Sequence, residues 1–384
     1  MSRKSVVLLV ETSSQYCRGL LQGIIAFMKE RGDWSVHLDQ QRGESPPAWL
    51  KTWNGDGIIA RIDTNSYGEQ LKDFGVPVVD LSAARHVSGI PWAETDDQAI
   101  SRLAFEHFSE RRFKNIAYCG SPEFNWSVRR SLHFRRLATE AGCEFFEHEA
   151  TPSFGDRFHP ATEMQRMVDW LQSLPRPVAI MVCYDFKALQ ILEACNQLKI
   201  AVPEQVAVLG VDNDYLLCEL SKPPLSSIVP DTKQTGYDAA AMLDRMMTGE
   251  SVETEKPMLT QPLGIEVRDS TDTVAIDDVQ IAKALQYIRR HATANIRVAD
   301  ILTVVTLSRR TLEKRFKQWL GHTPHEEIQR VRMNRIMDLL SQTELSVHEI
   351  ASRAGFEHNE YMAAAFKRET GVTPTEYREK AREA

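Results

Sequence analysis

The chain has 384 residues, with 46 Lys and Arg against 53 Asp and Glu, for a formal net charge of −7. This length predicts two or three domains, and an acidic average argues against a nucleic-acid partner for most of the chain. Residues 277–384 differ, because they carry 18 basic and 15 acidic side chains, or +3, which leaves −10 for the rest. Phosphate contacts are therefore expected only in this C-terminal part.

The six cysteines lie mostly in apolar runs without CxxC spacing, a pattern typical of free thiols in a reducing compartment. The N-terminal apolar run is too short for a signal peptide, and no stretch approaches the length of a membrane span. We therefore expect a cytoplasmic protein with no membrane contact. The sequence has no dinucleotide-binding, P-loop, zinc-protease or nucleophile-elbow motif, so it predicts no catalysis, cofactor or metal ion.

Short apolar runs alternate with amphipathic segments in the first two thirds of the chain, which indicates parallel sheets covered by helices. The pattern restarts near residue 112, so it predicts two α/β lobes with a cleft between them. The predicted strands are 5–11, 34–38, 56–60, 77–81, 115–119, 143–147, 178–183, 206–211 and 258–266, and the main helices are 15–31, 66–74, 97–111, 128–141, 161–174, 186–198 and 233–247.

The predicted domain borders follow from this pattern. Lobe N comprises residues 5–110 and 231–248, and lobe C comprises 112–230 and 250–268, within an effector domain of residues 1–268. The apolar-poor run DSTDT begins a linker at 269–276. Ligands of open α/β sheets lie beyond the carboxyl ends of the strands. Those ends carry Glu11, Arg61, Asp80, Gly120, Tyr184 and Asp212.

The C-terminal part, 277–384, contains two predicted helix-turn-helix motifs. In the first, RVADILTVV at 297–305 precedes SRRTLEKRFKQWL at 308–320, with Ser308 as N-cap and Gly321 as terminator. In the second, a helix from Ser346, with Glu349 completing a capping box, precedes a helix at 359–370 that Gly371 ends. A spacer helix at 324–340 separates the motifs, with Ile328, Val331, Arg335 and Leu339 on one side.

These C-terminal strings resemble the AraC/XylS transcriptional activators. The resemblance rests on LSRRTLEKRFKQWLGHTPHEEI at 307–328, IASRAGF at 350–356 and FKRETGVTPTEYR at 366–378, and the chain departs from the family at Met362 and at Ala363–Ala365. It implies an all-α double helix-turn-helix domain that binds double-stranded DNA, usually as a homodimer that works with RNA polymerase. The implied DNA contacts are Ser308, Arg309, Arg310, Glu313, Lys314, His358, Asn359 and Glu360; for the two arginines, phosphate contact alone is the alternative.

Residues 5–268 resemble the LacI-type, periplasmic-binding-protein-like sugar-responsive core. DGIIA at 56–60, TDDQA at 95–99, RSLHF at 130–134, VCYDFKAL at 182–189 and LGVDNDYL at 209–216 carry this resemblance. It implies effector contacts at Arg130, Asp185 and Asp212. We add Trp126 as a flat ring one turn before Arg130, and Glu11, Gln15 and Tyr16 from the first strand–helix loop of the opposite lobe.

Each of these residues also has a structural interpretation. Asp185 could be a helix N-cap, Asp212 a turn residue, Arg130 a surface arginine and Trp126 a core residue, while a solvated loop would explain Glu11, Gln15 and Tyr16.

An effector core followed by an AraC-type domain resembles the regulators of xylose operons. This implies a D-xylose-dependent activator of pentose-utilisation genes; the alternative is the same architecture with another sugar or a purine as effector. Two alternatives come from other functional classes. One is a sugar-modifying enzyme with a DNA-binding tail, and the other is a sugar sensor that does not bind DNA.

Overall fold

The computed structural model describes residues 3–31, 34–39, 45–81, 87–150 and 160–383. The chain divides into two compact units, Met1–Thr273 and Val274–Ala384. Within the described residues, the first unit contains strands and helices and the second contains helices only. The predicted combination of a two-lobed α/β domain and an all-α domain is confirmed.

Strands and helices alternate through the first unit, as predicted. Short turns of 3₁₀-helix lie at Ala48–Thr52 and Asp269–Thr271. The strands and helices are, in chain order, β1 (Lys4–Leu9), α1 (Gln15–Glu30), β2 (Trp34–Asp39), β3 (Gly57–Ala60), α2 (Asn65–Lys72), β4 (Val78–Asp80), β5 (Ala93–Thr95), α3 (Asp97–Glu110), β6 (Asn115–Cys119), α4 (Asn125–Glu140), β7 (Glu144–His148), α5 (Pro160–Ser173), β8 (Val178–Val182), α6 (Asp185–Gln197), β9 (Val206–Val211), α7 (Tyr215–Leu220), β10 (Ser226–Val229), α8 (Thr232–Met247), β11 (Met258–Thr260) and β12 (Gly264–Glu266).

Each lobe has its own sheet. The first has the strand order β2-β1-β3-β4, all parallel, and an Asp80–Trp92 bridge continues it to the parallel pair β5-β11. The second has the order β12-β10-β9-β8-β6-β7. Its central strands are buried along their whole length, because helices cover both faces, and this explains uninterrupted apolar runs such as VAIMV in β8.

The chain crosses between the lobes three times, and two of these crossings differ from the predicted borders. It leaves the first lobe after β5, so α3 belongs to the second lobe: Ser101 Oγ donates to the Arg130 carbonyl (3.0 Å), and the Phe108 and Phe134 rings lie 6.3 Å apart. The predicted strand at 258–266 is two strands, since β11 pairs with β5 and β12 pairs antiparallel with β10. The sequence pattern marked the strands but not the partner of each one.

Helices α1 and α8 pack closely in the first lobe because glycines lie at their contact. A Cβ atom at Gly23 would collide with the main chain of Lys233, and one at Gly236 with that of Leu20. Although α1 and α8 are about 200 residues apart in sequence, this contact fixes α8 in the first lobe.

The second unit holds both predicted helix-turn-helix motifs. Its two glycine terminators, Gly321 and Gly371, have φ values of 82° and 79°, the left-handed conformation that glycine adopts without strain. The cap at Ser308 and the capping box of Ser346 and Glu349 are present as predicted. The helices are α9 (Val279–His291), which the sequence analysis missed, α10 (Val298–Ile301), which is shorter than predicted, α11 (Arg309–Leu320), α12 (Pro324–Gln342), α13 (Val347–Arg353), α14 (Asn359–Thr370) and α15 (Pro374–Glu383).

Helix α12 contributes to two separate apolar cores. Ile328, near its start, packs with Leu312 and Phe316 of α11. Ile336, in its second half, packs with Phe366 of α14. Of the four residues that the sequence places along one side of this helix, Ile328 and Leu339 are buried, whereas Arg335 is exposed.

The segment predicted to open the linker, Asp269–Thr273, is instead packed into the first unit. Ser270 Oγ donates to the Val208 carbonyl (2.6 Å) and accepts from Ser226 N (2.8 Å), while Thr271 Oγ1 donates to Ser226 Oγ (2.8 Å). Ser270 and Thr271 are fully buried. Composition misled the prediction, because these hydroxyls are satisfied by neighbouring strands rather than by water.

His107 on α3 also holds this segment. Thr271 Oγ1 donates to Ser226, so it accepts from His107 Nε2, 2.8 Å away, which requires a proton on Nε2. Burial, with Arg111 as the smaller cause, lowers the pKa of His107 to about 3. In the unfolded chain the pKa of a histidine is about 6.5.

We predict that the first unit loses stability in mild acid through His107. Its neutral form is favoured in the folded state, so this contribution is complete above pH ~6.5 and falls as the pH drops toward 3, by about 2 kcal/mol between pH 7.5 and 5. Urea unfolding followed by tryptophan fluorescence reports on this unit, because six of the seven tryptophans lie there. His107→Gln should reduce the difference between the two pH values, whereas His133→Gln on α4, the matched control, should not. An unchanged difference in His107→Gln would contradict this assignment.

Candidate functional site

A polar cluster lies at the carboxyl ends of the strands, where the two lobes face each other. Tyr16, after β1, and Arg61, after β3, come from the first lobe, while Arg130 on α4 and Asp212, after β9, come from the second. The four side chains are electrostatic neighbours, since Arg130 and Arg61 both act on Asp212, and Arg61, Asp212 and Arg130 all act on Tyr16. The structure thus places Arg130 and Asp212, two of the three residues predicted to contact one ligand, close together in the second lobe.

Arg130 is held rigidly from behind. It is 4% exposed; its Nε donates to Asp97 Oδ1 (2.8 Å) and its Nη1 to the Cys183 carbonyl (2.7 Å). Its guanidinium carbon lies 4.8 Å from the centre of the Trp126 ring. Arg130 was predicted to contact the effector directly, whereas the role of Asp97 in orienting it was not predicted.

Asp212 lies in a turn with unusual backbone geometry. Its φ is 106° and that of Asn213 is 48°, both positive and both outside glycine. Burial raises the pKa of Asp212 to about 7, although Arg130 and Arg61 act in the opposite direction. The side chain is half-buried, which fits a carboxyl group on the wall of a cleft.

Asp185 supports this turn from below. It is 1% exposed, and its two oxygens accept from Ser227 Oγ (2.6 Å) and Asp214 N (2.7 Å). Burial, and the neighbouring Asp212, raise the pKa of Asp185 well above its usual range. It is not an N-cap, because Tyr184 holds that position in α6. Its described contacts are thus with protein groups, on α7, on β10 and in the turn.

Arg61 is the residue that the sequence analysis named as a strand end but did not include among the effector contacts. Its guanidinium carbon lies 5.3 Å from the centre of the Tyr16 ring. Its Nη1 is buried and, among the described residues, has no hydrogen-bond partner. Buried guanidinium donors without partners are costly, so this atom points to a ligand. Its position directly after β3, at the carboxyl end of a strand, is the sequence signal that could have identified it as a ligand contact.

Aromatic rings form one face of the cleft. Trp126 stacks on Phe124 with ring centres 5.0 Å apart, and its edge meets Tyr184 at 6.0 Å. Trp126 is half-buried rather than part of the core. The Tyr16 hydroxyl bonds to Thr95, and burial raises the pKa of Tyr16 to about 12, so it stays neutral.

The two remaining predicted residues of the first loop make contacts within the protein. Glu11 accepts from Ser13 Oγ (2.9 Å) and from Cys17 Sγ (3.5 Å). Gln15 reaches across to the second lobe, where its amide bonds to the main chain of Asn213 and Tyr215.

In the first helix-turn-helix motif, α11 has an exposed basic surface at its start. Ser308 caps the helix, and Arg309 pairs with Glu313 (3.0 Å) one turn later. Arg310 and Lys314 are exposed, and Arg310 has no ion pair or hydrogen bond within the described part of the chain. Arg310 is therefore free to contact DNA, whereas Arg309 must first leave Glu313.

The second motif has a different surface. His358 occupies the N-cap position of α14 without a side-chain cap bond, Asn359 is half-buried and Glu360 is exposed. Tyr361, which the sequence analysis overlooked, is 72% exposed. Met362, where the chain departs from the AraC/XylS pattern, is fully buried under the helix.

Comparison with known proteins matches both units. Residues 5–96 match the XylR N-terminal domain, residues 105–271 the periplasmic binding protein-like domain and residues 301–380 a helix-turn-helix domain. The xylose operon regulatory protein of Escherichia coli K12 is 31% identical, over 98% of this chain and 97% of its own. The chain belongs to the family of xylose operon regulatory proteins. A Haemophilus influenzae member is 29% identical over 97% of both chains.

Solved structures agree with this family. The xylose-binding transcription activator xylR superposes with a TM-score of 0.83 and 30% identity, over 99% of this chain and 98% of that one. A periplasmic binding protein/LacI regulator from Alkaliphilus metalliredigens QYMF, in complex with D-xylulofuranose, shares the fold of the first unit (TM-score 0.55, 20% identity, 71% of this chain and 100% of that one). The family member described here is thus a transcription regulator and not an enzyme. None of its described helices combines the length and apolar character needed to cross a membrane.

We predict that Arg310 reads a base in the major groove. Arg310→Ala should weaken binding to a duplex selected in vitro against the protein by about 1–3 kcal/mol, and weaken binding to a scrambled duplex less. Lys317→Ala, further along α11 and exposed, is the matched control and should weaken both duplexes equally, as a phosphate contact does. Fluorescence anisotropy at fixed salt measures all four affinities. An equal loss on both duplexes for Arg310→Ala would mean phosphate contact alone.

Proposed function

We propose that the protein is a D-xylose-responsive activator of pentose-utilisation genes, with the sugar bound between the two lobes of the first unit. The E. coli relative and the solved activator are named for xylose, and their similarity to this chain extends over both units. A different sugar or a purine remains the alternative effector.

The observation that carries the proposal is the unpartnered Nη1 of Arg61, opposite Arg130 and Asp212. A pentose offers hydroxyl groups on its edge and C–H groups on its faces. The two arginines supply donors and Asp212 an acceptor, and these charge-assisted bonds are the strong kind. Trp126 supplies a flat apolar surface for the C–H side.

The charge of the cleft favours a neutral ligand. Arg130 is paired with Asp97 at 2.8 Å, and Arg61 faces Asp212. Little positive charge is therefore left over for a phosphate or a sugar acid. A polyol with several hydroxyls satisfies these groups without adding charge.

In this proposal the residues fall into two groups. The first group surrounds the sugar and consists of Arg61, Arg130, Asp212, Tyr16 and Trp126. Glu11 lies at the edge of this group, on the strand–helix loop that leads to Tyr16. The second group does not touch the sugar: Asp185 fixes the turn that carries Asp212, and Gln15 connects the two lobes by hydrogen bonds.

The proposal extends to partners. We propose a homodimer in which each second unit binds double-stranded DNA through α11 and α14 and engages RNA polymerase nearby. Two motifs in one unit suit repeated half-sites spaced by about one helical turn. Work on chromosomal DNA implies the cytoplasm, and the free thiols of all six cysteines are consistent with its reducing conditions.

We predict that calorimetry with D-xylose, L-arabinose, D-ribose, D-glucose and adenine will give the tightest binding for D-xylose. Arg61→Met keeps the length of the side chain but removes its donors, and should cost about 1.5–3 kcal/mol of binding free energy. Arg245→Met, on the exposed surface of α8, is the matched control and should bind normally. Tighter binding of another compound would show that D-xylose is not the effector. An unchanged affinity in Arg61→Met would show that the sugar does not bind at this site.

We predict that sugar affinity depends on pH through Asp212. Its pKa of about 7 means that much of it is protonated at pH 6, and the hydrogen bond from a sugar hydroxyl is stronger to the ionised form, which has charge and no competing O–H. Affinity should therefore fall by up to about tenfold per pH unit below 7 and level off above it, with a proton released on binding. Calorimetry at pH 6, 7 and 8 in buffers of different ionisation enthalpy measures both effects. Asp212→Asn should bind more weakly and without this pH dependence; equal wild-type affinity at pH 6 and 8 would contradict the role of Asp212.

A further inference from the structure

Gln15, the first residue of α1, makes three hydrogen bonds to one turn of the opposite lobe. Its Nε2 donates to the Asn213 carbonyl (2.9 Å), and its Oε1 accepts from Tyr215 N (2.9 Å). Its own main-chain N donates to Asp214 Oδ2 (3.3 Å). These residues are about 200 positions apart in sequence and belong to different sheets.

The orientation of the Gln15 amide follows from these partners. A donor end faces a carbonyl and an acceptor end faces an N–H group; the reversed amide would place oxygen against oxygen and nitrogen against nitrogen. The amide thus pairs with the main chain on both sides of Asp214, as a short strand would. Both ends are occupied by protein, so neither is free as a primary sugar contact.

The turn that Gln15 grips is rigid within its own lobe. Asp185 holds Asp214 N (2.7 Å), Ser227 Oγ holds Asn213 N (3.0 Å), and Arg268 Nη1 donates to Asn213 Oδ1 (2.9 Å). The same turn presents Asp212 to the cleft. Because the turn is fixed in the second lobe, the Gln15 contacts constrain the distance between the lobes rather than the shape of the turn.

We propose that Gln15 is a latch that holds the two lobes closed and so sets the effector concentration at which the protein responds. The inference rests on the proposed function in one respect, that the effector binds in this cleft. If only the closed arrangement binds tightly, the apparent affinity scales with the closed fraction. Loss of the latch lowers that fraction and weakens every ligand by the same factor.

This role differs measurably from direct contact with the sugar. A residue that bonds to one hydroxyl loses its effect when that hydroxyl is removed from the ligand. A positioning residue that acts on the lobes has the same effect on D-xylose and on each of its deoxy analogues, and it also changes the protein alone.

The test uses the full-length protein with Gln15→Ala and Gln15→Glu. The glutamate variant keeps an acceptor for Tyr215 N but sets a carboxylate against the Asn213 carbonyl and beside Asp214. Gln22→Ala, exposed on the same helix, is the matched control. Far-UV circular dichroism and melting temperature check that each variant folds.

Calorimetry with D-xylose and its 2-, 3- and 4-deoxy analogues should show roughly 5- to 30-fold weaker binding in Gln15→Ala, by one common factor for all four ligands. Gln15→Glu should lose at least as much, and Gln22→Ala nothing. Small-angle X-ray scattering without sugar should give a larger radius of gyration for Gln15→Ala than for wild type. With saturating D-xylose, the radii of gyration of the two proteins should become equal.

A loss that disappears for one deoxy analogue would overturn the latch in favour of direct contact. Unchanged affinity and scattering in Gln15→Ala would overturn it altogether. If wild type bound no sugar while the scattering difference without sugar persisted, the proposed effector would be wrong and the latch would stand; if sugar bound but that difference was absent, the latch alone would fall.

Discussion

The effector unit depends on the hydrogen bonds of the buried Asp185 carboxyl group. Burial of a polar group is unfavourable unless it has hydrogen-bond partners, and here Ser227 Oγ and Asp214 N donate to its two oxygens. In return, the carboxyl group fixes a turn in which Asp212 and Asn213 both have positive φ. A strained turn persists only when its surroundings determine it, so removal of Asp185 would displace the cleft carboxyl and the contact surface for α1 together.

Arg130, in the same lobe, is also held by neighbouring protein groups. Asp97 and the Cys183 carbonyl hold the guanidinium of Arg130 in place. Such pre-organisation lowers the entropy lost on binding, because the side chain is already ordered. Arg61 is the exception, since its Nη1 is buried without a partner among the described residues. A bound ligand that accepts a hydrogen bond from this atom would remove the cost of the unpaired donor.

In the second unit, the constraint is the single helix α12, whose two halves pack in two different cores. The two motifs cannot be reoriented without breaking one of those cores. Their surfaces are nevertheless unequal: α11 begins with Arg309 and Arg310, and α14 with Glu360 and Tyr361. Because phosphate attraction depends on positive charge, the DNA contact that we propose for α14 relies more on shape and on its aromatic side chain than that of α11 does.

Local patterns in the sequence determined the element types, the helix caps at Ser308 and Ser346, the glycine terminators and the family resemblance, since each depends on residues within about one or two turns. The family resemblance, in turn, implied Arg130 and Asp212 as effector contacts. Only the tertiary structure decided that α3 belongs to the second lobe, that Ser270 lies in a core, that Arg61 lacks a partner and that Gln15 bonds to the far lobe. Those facts depend on contacts between residues up to 200 positions apart, and neither composition nor periodicity encodes which distant strand or turn a segment will meet.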